Sequence, residues 1–363
     1  TAAALLTCIG VITAQEVSGA GMRFALGGGL GFLAFIVVAG SIWATGLRHS
    51  IETIGARRVW LMLGAALTLM VATRIPGLSA GVLVDGGATV YPNVRVAGLV
   101  FQPGEFVRPL VAAAMAITVA QDSGALRRGA RSGVRALVRV ATIVGVGGIM
   151  FVVNSDLGPL LFLAITTVLL LLVARTHMVV KAAAVGALAA LFTVGFAVSA
   201  TFRGRIDDML HPVYADGRTT NIGFGLKSLA SGGLFGAGVQ DDRSPGTLFA
   251  EHTDFVLTAI GHSRGVVFLG IVVALYAVIV RAMWSATDCC RGEVARHVAV
   301  CLTLLVMTQC LWTVAATLGY VPLTGMVVPF LSDGMSGMVG MWAPLGVVFA
   351  LGGGSPVPLA PDT

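Results

Sequence analysis

Charge is what this sequence has least of: Asp, Glu, Lys and Arg make up only 11% of its 363 residues, against about 25% in an ordinary soluble protein. So few charges cannot cover a water-facing surface, and a soluble globular enzyme is excluded. Lysine is nearly missing, with Lys181 and Lys227 as the only two. The bias towards arginine, alanine, valine and glycine in its place would suit a GC-rich genome. Cysteine is scarce as well. The five present, Cys8, Cys289, Cys290, Cys301 and Cys310, imply no disulfide framework, and the Cys289-Cys290 pair lacks the second pair a zinc site would need. No basic stretch is interleaved with aromatics, so the net charge of +6 does not point to nucleic acid. No internal repeat is visible. The first residue is Thr1, set against an apolar run, so the native N-terminus is expected to lie upstream and a targeting segment cannot be judged.

Present in excess are hydrophobic residues, at 56%, and glycine, with 48 copies. The mean hydropathy is +0.92. The solvent for such a chain is lipid, where small residues let helices approach closely. Charged residues interrupt the hydrophobicity at intervals near one bilayer crossing, about 20 residues. The spans fall near residues 2–18, 22–45, 58–73, 106–121, 140–155, 157–174, 182–202, 255–280, 297–318 and 336–354. Between 298 and 332 there is no charge at all, and the boundary there rests on Pro322 and Pro329. The expected fold is all-α, a polytopic membrane protein of about ten transmembrane helices. One membrane domain covers 1–354, and 355–363 is a C-terminal tail.

Orientation follows from the arginines, which are retained on the cytoplasmic side. With the N-terminus inside, the inner loops hold 13 of the 23 basic residues but only five acids, a net +8, leaving −2 for the outer side. Residues 203–254 then form an extracellular loop between the seventh and eighth helices, and read as the only long extramembrane stretch.

Ionisable groups at membrane depth are costly and are functional candidates by default. Glu105 and Arg108, in Phe101-Gln102-Pro103-Gly104-Glu105-Phe106-Val107-Arg108, stand at i, i+3 spacing on one helix face. A local ion pair that stabilises a helix start would explain them equally. Asp156, in the turn Asn154-Ser155-Asp156-Leu157-Gly158-Pro159, and Asp333, before the last span, could each act as a helix cap. Within the long loop, the run Ser231 to Gly238 is too rich in glycine for a stable helix. Its N–H groups could face phosphate, though a plain flexible turn explains it as well. Glu251-His252-Thr253-Asp254-Phe255 follows. It lacks the paired histidines of a metalloprotease helix.

Taken in order, these segments resemble the SEDS (shape, elongation, division, sporulation) proteins, the RodA/FtsW/SpoVE group of ten-span peptidoglycan glycosyltransferases. The family's Phe-Gln-Pro-Ser-Glu-Phe-x-Lys corresponds to Phe101–Arg108, with a preceding family arginine on Arg95. Its Gln-Pro-Asp-Leu-Gly-Thr corresponds to Asn154–Pro159. Its Gly-Ser-Gly-Gly-x-Phe-Gly-x-Gly falls on Ala230–Gly238, its Pro-Glu-x-His-Thr-Asp-Phe ends on Glu251–Phe255, and its Pro-x-Thr-Gly-x-x-x-Pro-Phe-x-Ser falls on Pro322–Ser332. There are departures. The family's Ile-Gly-Glu-Glu-x-Gly becomes Ile260-Gly261-His262-Ser263-Arg264, Ser-Tyr-Gly-Gly-Ser becomes Ser332-Asp333-Gly334-Met335-Ser336, and the Arg-Trp pair before Arg95 becomes Pro92-Asn93. On this resemblance the chain is expected to be a divergent member.

The resemblance implies polymerisation of lipid II at the outer face of a bacterial cytoplasmic membrane, in elongation, division or sporulation. It makes Asp254 the catalytic base. It assigns Arg95, Glu105, Arg108, Asp156, His252, Thr253 and Ser332 to substrate binding, with Arg95 and Arg108 on the diphosphate. A divalent cation, Mg or Mn, could share that role through Glu105 or Asp156; no cofactor is certain and any metal ligand set is unknown. A class B penicillin-binding protein is the implied partner, its single helix docking near the eighth and ninth spans. Two other classes stay open: a flippase or transporter of the lipid-linked precursor, and an inactive scaffold for a transpeptidase.

Overall fold

The computed structural model describes residues 1–18, 21–83, 89–96, 99–128, 130–154, 157–214, 217–238, 255–332 and 334–353. Among these, ten helices have at least 16 residues: α1 (Ala2–Ser18), α2 (Gly21–Ala44), α4 (Ala56–Val71), α5 (Gly104–Gln121), α7 (Ala130–Val153), α8 (Leu157–Val173), α9 (Met178–Val198), α12 (Val256–Asp288), α13 (Glu293–Thr317) and α14 (Met335–Gly352). Four shorter ones intervene: α3 (Leu47–Ser50), α6 (Ser123–Arg128), α10 (Ala200–Leu210) and α11 (Asn221–Gly232). Seven of the long helices are long and apolar enough to cross a membrane. α1 and α8 are slightly shorter apolar helices, and α5 carries the Glu105 and Arg108 charges. The chain is thus an all-α polytopic membrane protein, with helices where the charge-bounded runs lie.

α13 is the axis of the bundle. It packs against α5, α8, α12 and α14, and most of its length is buried. α14 packs closely along α2, where a Cβ on Gly346 would stand 2.9 Å from the carbonyl oxygen of Phe35. Only glycine permits that approach, and in lipid such contact replaces the hydrophobic drive that water would supply. α9, by contrast, leaves most of its side chains on the outside.

Three features depart from the sequence reading. Residues 203–254 are not the only long extramembrane stretch: between α4 and α5 the chain forms an antiparallel sheet of β1 (Ser79–Leu83), β2 (Thr89–Val96) and β3 (Leu99–Phe101), in the order β1-β2-β3. Pro92 is tolerated in the middle strand because the register shifts there, pairing Ala80 with Asn93 but Val82 with Val90, so Tyr91 and Pro92 form a bulge opposite Gly81. Second, the outer loop begins with structure: Ser199 ends α9 and caps α10 by accepting from the Phe202 N–H, and Thr220 caps α11 by accepting from Gly223. Third, the eighth span is longer than expected. α12 has 33 residues, about 50 Å at 1.5 Å each, and Arg281 lies within it rather than in a loop, its side chain exposed.

α12 is interrupted at Gly265, whose φ is 85°. The glycine-rich run docks at that break. Ala237 donates to the His262 carbonyl at 2.9 Å and Gly238 to Ser263 at 3.2 Å, while Val266 donates back to Gly233 at 3.0 Å and Val267 to Leu234 at 3.2 Å. These N–H groups are therefore engaged by backbone, and neither a phosphate cradle nor a free turn describes them. A side chain at 265 would be strained by the positive φ and would collide with Leu234 and Gly236.

Polar side-chain contacts gather at both ends of the bundle. At the inner end, Glu52 accepts from the Val294 and Ala295 N–H groups at 3.2 and 2.8 Å, capping α13. Arg127 pairs with Glu293 at 2.9 Å and Arg139 with Asp122 at 2.7 Å. Burial pushes the Asp122 carboxyl above its usual range, and Arg139 only partly offsets this. At the outer end, Arg74 donates to Asn154 at 2.9 Å and Arg264 pairs with Glu16 at 2.7 Å.

Candidate active site at the outer end

Between α13 and α14 the described residues 318–332 and 334 form no helix, yet Met326, Val328, Phe330, Leu331 and Ser332 are buried. Irregular backbone at membrane depth is stable only where protein satisfies its polar groups. Here four side chains from three helices do so. Tyr276 of α12 donates to the Pro329 carbonyl at 2.7 Å, Gln309 of α13 to Val327 at 2.9 Å, Trp312 of α13 to Pro322 at 3.1 Å, and Arg205 of α10 to Thr324 at 3.0 Å. Phe330 has a φ of 61°, a conformation costing about 1–3 kcal/mol for a residue with a side chain. Its ring stands edge-on to Trp342, centroids 5.6 Å apart.

Glu105 and Arg108 lie against this segment. Their side chains are 2% and 0% exposed and form an ion pair at 2.9 Å. Arg108 Nη1 is 3.9 Å from Met326 Sδ, and its Nε has no partner. α14 seals the other side: a Cβ on Gly340 would stand 2.8 Å from the Glu105 carbonyl oxygen and 3.3 Å from Oε2. The pair therefore joins α5, the extended segment and α14. In this arrangement Arg108 offers no free face to a diphosphate. Nor does Glu105 fit a cation ligand, since its carboxylate is buried and already held by a guanidinium; among the described residues no group of three His, Cys, Asp or Glu side chains is placed to hold a metal. Both charges are buried and tie the segment to its neighbouring helices.

The other motif segments converge on the same stretch. Gly158, at the start of α8, approaches so closely that a Cβ would be 3.0 Å from Met326 and 3.1 Å from the Thr324 carbonyl. Asn154 is buried and receives both Thr73, at 3.2 Å, and Arg74, at 2.9 Å, tying α7 to the outer end of α4. Ser336 accepts the Gln102 N–H at 2.9 Å, linking the start of α5 to α14. Ser332 is buried and returns its hydroxyl to the Val328 carbonyl at 3.0 Å. Arg95 is on β2 opposite Val100 and exposed. Asp254, His252, Thr253, Glu251, Asp156 and Asp333 lie outside the described residues.

Sequence reasoning missed several groups that the structure joins. His262, noted there only as a departure, is buried between α11 and α12, with Nδ1 2.9 Å from Ser231 Oγ and 3.1 Å from the Ser228 carbonyl. The carbonyl can only accept, so Nδ1 carries the proton. Nε2 of His262, Oγ of Ser228 and Oγ1 of Thr258 are buried without partners. Thr258 and His262 stand four positions, about one helical turn, apart on α12. Arg264 holds Glu16 of α1 and stacks on Phe268, 5.6 Å from the ring centroid. Gln309 was detectable in principle, as an amide in the middle of an uncharged span. In the outer loop, Tyr214 donates to Asp207 at 2.8 Å and His211 lies 3.0 Å from it, and these contacts hold the Asp207 carboxyl below its usual range.

The family model described as cell cycle protein, FTSW_RODA_SPOVE, matches residues 5–352. The chain belongs to this family. It is 25% identical over 308 residues to a probable peptidoglycan glycosyltransferase FtsW of Trichlorobacter lovleyi, covering 83% of this chain and 77% of that one. It is 26% identical over 303 residues to the peptidoglycan glycosyltransferase RodA of Mycobacterium tuberculosis, covering 80% of this chain but 63% of that one, somewhat less than two thirds of the relative's length. Among solved structures, a chain from "Structural coordination of polymerization and crosslinking by a peptidoglycan synthase complex" superposes with a TM-score of 0.72 at 19% identity, over 97% of this chain and 95% of that one. The rod shape determining protein RodA of Thermus thermophilus superposes with a TM-score of 0.64, also at 19% identity, over 97% and 94%. These likenesses fix the fold. Family and helices together make the chain a multi-pass protein of the bacterial cytoplasmic membrane.

Proposed function

We infer that the protein is a peptidoglycan glycosyltransferase that polymerises lipid II at the outer membrane face, the activity named for its relatives in Trichlorobacter and Mycobacterium. The observation that carries this reading is the convergence of Arg108 and Gly158, from motif segments distant in sequence, on the buried 322–332 stretch at the outer end. A flippase would need matching polar machinery on both faces. Here the motif segments gather at one end.

The reaction displaces a polyprenyl diphosphate from an anomeric carbon by a sugar hydroxyl, with inversion. It needs a base at the hydroxyl, worth about 10²- to 10⁴-fold, and positive charge at the leaving diphosphate. Asp254 is the proposed base, flanked by His252 and Thr253 as substrate contacts. Arg95, exposed on the outer sheet, is the proposed diphosphate ligand, since a guanidinium binds phosphate oxygens bidentately. Glu105, Arg108 and Ser332 act by holding the buried segment in place, and Asp156 is proposed at the mouth. His262 and Ser263 stand where the family carries acids; His262 is held by Ser231 and Ser228, so the exchange keeps a polar strut there.

The partner proposal is a class B penicillin-binding protein, one membrane helix of which lies along the eighth and ninth spans. α12 supports it more than α13, because Val267, Ile271 and Val278 present an exposed apolar face while α13 is mostly interior. Purified protein with labelled lipid II, alone and with candidate transpeptidases, tests the function through glycan chain length. Polymer is the expected product. Translocation of lipid II across vesicles without polymer would instead establish a transporter.

A further inference from the structure

A cavity of about 500 Å³ opens at the inner end of the bundle, at the opposite membrane face from the proposed chemistry. It lies between the inner ends of α8 and α12, both of which pack on α13. Its lining is mixed. Leu126, Leu170 and Val300 provide an apolar floor, Arg127, Arg175 and Arg296 provide the cations, and His297 adds an imidazole. Two acids face them. Glu293 holds Arg127 at 2.9 Å and Asp288 lies 3.7 Å from Arg296. Arg175 is exposed, makes no ion pair among the described residues, and gives the cavity a net positive charge. The His297 Nδ1 is 2.7 Å from the Glu293 carbonyl, which leaves Nε2 free to face a ligand. The N-terminus of α13 is not available to an anion, because Glu52 already caps it.

The surroundings decide what kind of anion fits. Trp284 lines the cavity, and Leu172 and Val173 beside it are exposed apolar side chains at the end of α8. An interfacial tryptophan beside exposed aliphatics marks the level of lipid headgroups. Basic pockets between transmembrane helices on the cytoplasmic side suit anionic lipid headgroups, with the chains left in the bilayer. A soluble anion would make no use of the apolar floor.

We propose that this inner cavity seats the phosphate of an anionic phospholipid of the inner leaflet, with Arg175 as its principal cation and Arg127 and Arg296 sharing the charge. The inference stands independently of the glycosyltransferase reading. Cys290, which also lines the cavity, stays a neutral thiol there, since burial pushes it up to about 11.

The test is native mass spectrometry of the purified full chain titrated with phosphatidylglycerol and, separately, phosphatidylcholine. Phosphatidylglycerol is expected to bind in preference. At roughly 1 kcal/mol per arginine near a membrane surface, Arg175→Gln should weaken it about fivefold and Arg175→Gln with Arg296→Gln about 10- to 30-fold. The control is Arg57→Gln with Arg58→Gln, two exposed inner-side arginines outside the cavity, expected to change binding less than about twofold. Because Arg175 is exposed and makes no ion pair among the described residues, its variant should keep the unmodified melting temperature while showing a smaller rise with phosphatidylglycerol. Equal loss in the control pair would reduce the effect to diffuse surface attraction and overturn the site. Competition by millimolar inorganic phosphate or glycerol phosphate would overturn the lipid assignment in favour of a soluble anion. Displacement by a poly-glutamate peptide at lower concentration than the lipid would overturn it in favour of an acidic protein segment.

Discussion

At the inner end of the bundle, Arg127 and Glu293 pair with side chains about half exposed, 51% and 46%, whereas at the outer end Glu105 and Arg108 pair at the same 2.9 Å with almost no exposure. The distance is equal and the energetics are not. An exposed pair gains little in high dielectric, about 0–1 kcal/mol. A buried pair must offset the desolvation of both ions, and removing one partner strands the other. The same contrast runs through the backbone: short helical turns close the inner end, while the outer end holds a buried extended stretch by side-chain hydrogen bonds. The outer end has given up regular structure where chemistry is proposed, and its stability depends on a few specific groups.

That contrast can be broken at its strongest point. Arg108→Met, by leaving Glu105 buried and unpaired, is expected to cost about 3–5 kcal/mol, seen as a large drop in melting temperature or loss of folded protein from membranes. Glu105→Leu with Arg108→Met should recover most of it, and failure to recover would show that the pair does more than brace. Next comes Gly340→Ala, whose new Cβ would press on the Glu105 carbonyl at 2.8 Å. Overpacking of this kind costs about 1–3 kcal/mol; a variant as stable as the unmodified protein would mean that α14 yields. Tyr276→Phe removes the bond to Pro329, for about 1–2 kcal/mol, and should lower polymerisation and melting together.

At the inner end the same kind of cut should matter little. Arg127→Ala is expected to change stability by less than about 1 kcal/mol, and added salt should erase the difference. A larger loss would contradict the division between the two ends. The smallest effect is expected at the outer loop, where Tyr214 first and His211 second hold Asp207 below its ordinary 3.8. A depressed carboxylate contributes above its ordinary pKa and loses that contribution as pH falls through the lowered value. Protease cutting near α10 should therefore rise only below about pH 4, and Asp207→Asn should abolish that step.

Much of this fold is legible in the sequence because lipid imposes a single demand, apolar length between charges. Span 2–18 is α1, and span 157–174 is α8 to within one residue. Pro322 and Pro329 correctly flag the stretch where α13 cannot continue. The sheet was not visible, because a hydropathy window tuned to bilayer crossings carries no signal for short strands, and Arg281 read as a helix end although a long side chain can reach water from within a helix. Site residues Glu105 and Arg108 were found from their charge, but their burial was not, because it depends on Gly340 and Met326, more than 200 positions away. The bonds from Tyr276 and Gln309 to the extended stretch leave no local pattern for the same reason.

The most direct measurement is lipid II polymerisation by Asp254→Asn protein, checked for normal melting and for binding to the proposed transpeptidase partner. Asn caps a helix about as well as Asp but cannot accept the proton. The account predicts a loss of at least about 10²-fold with folding and pairing intact. Polymerisation near the unmodified rate would contradict it, and the assignment of residue 254 as the base would fail.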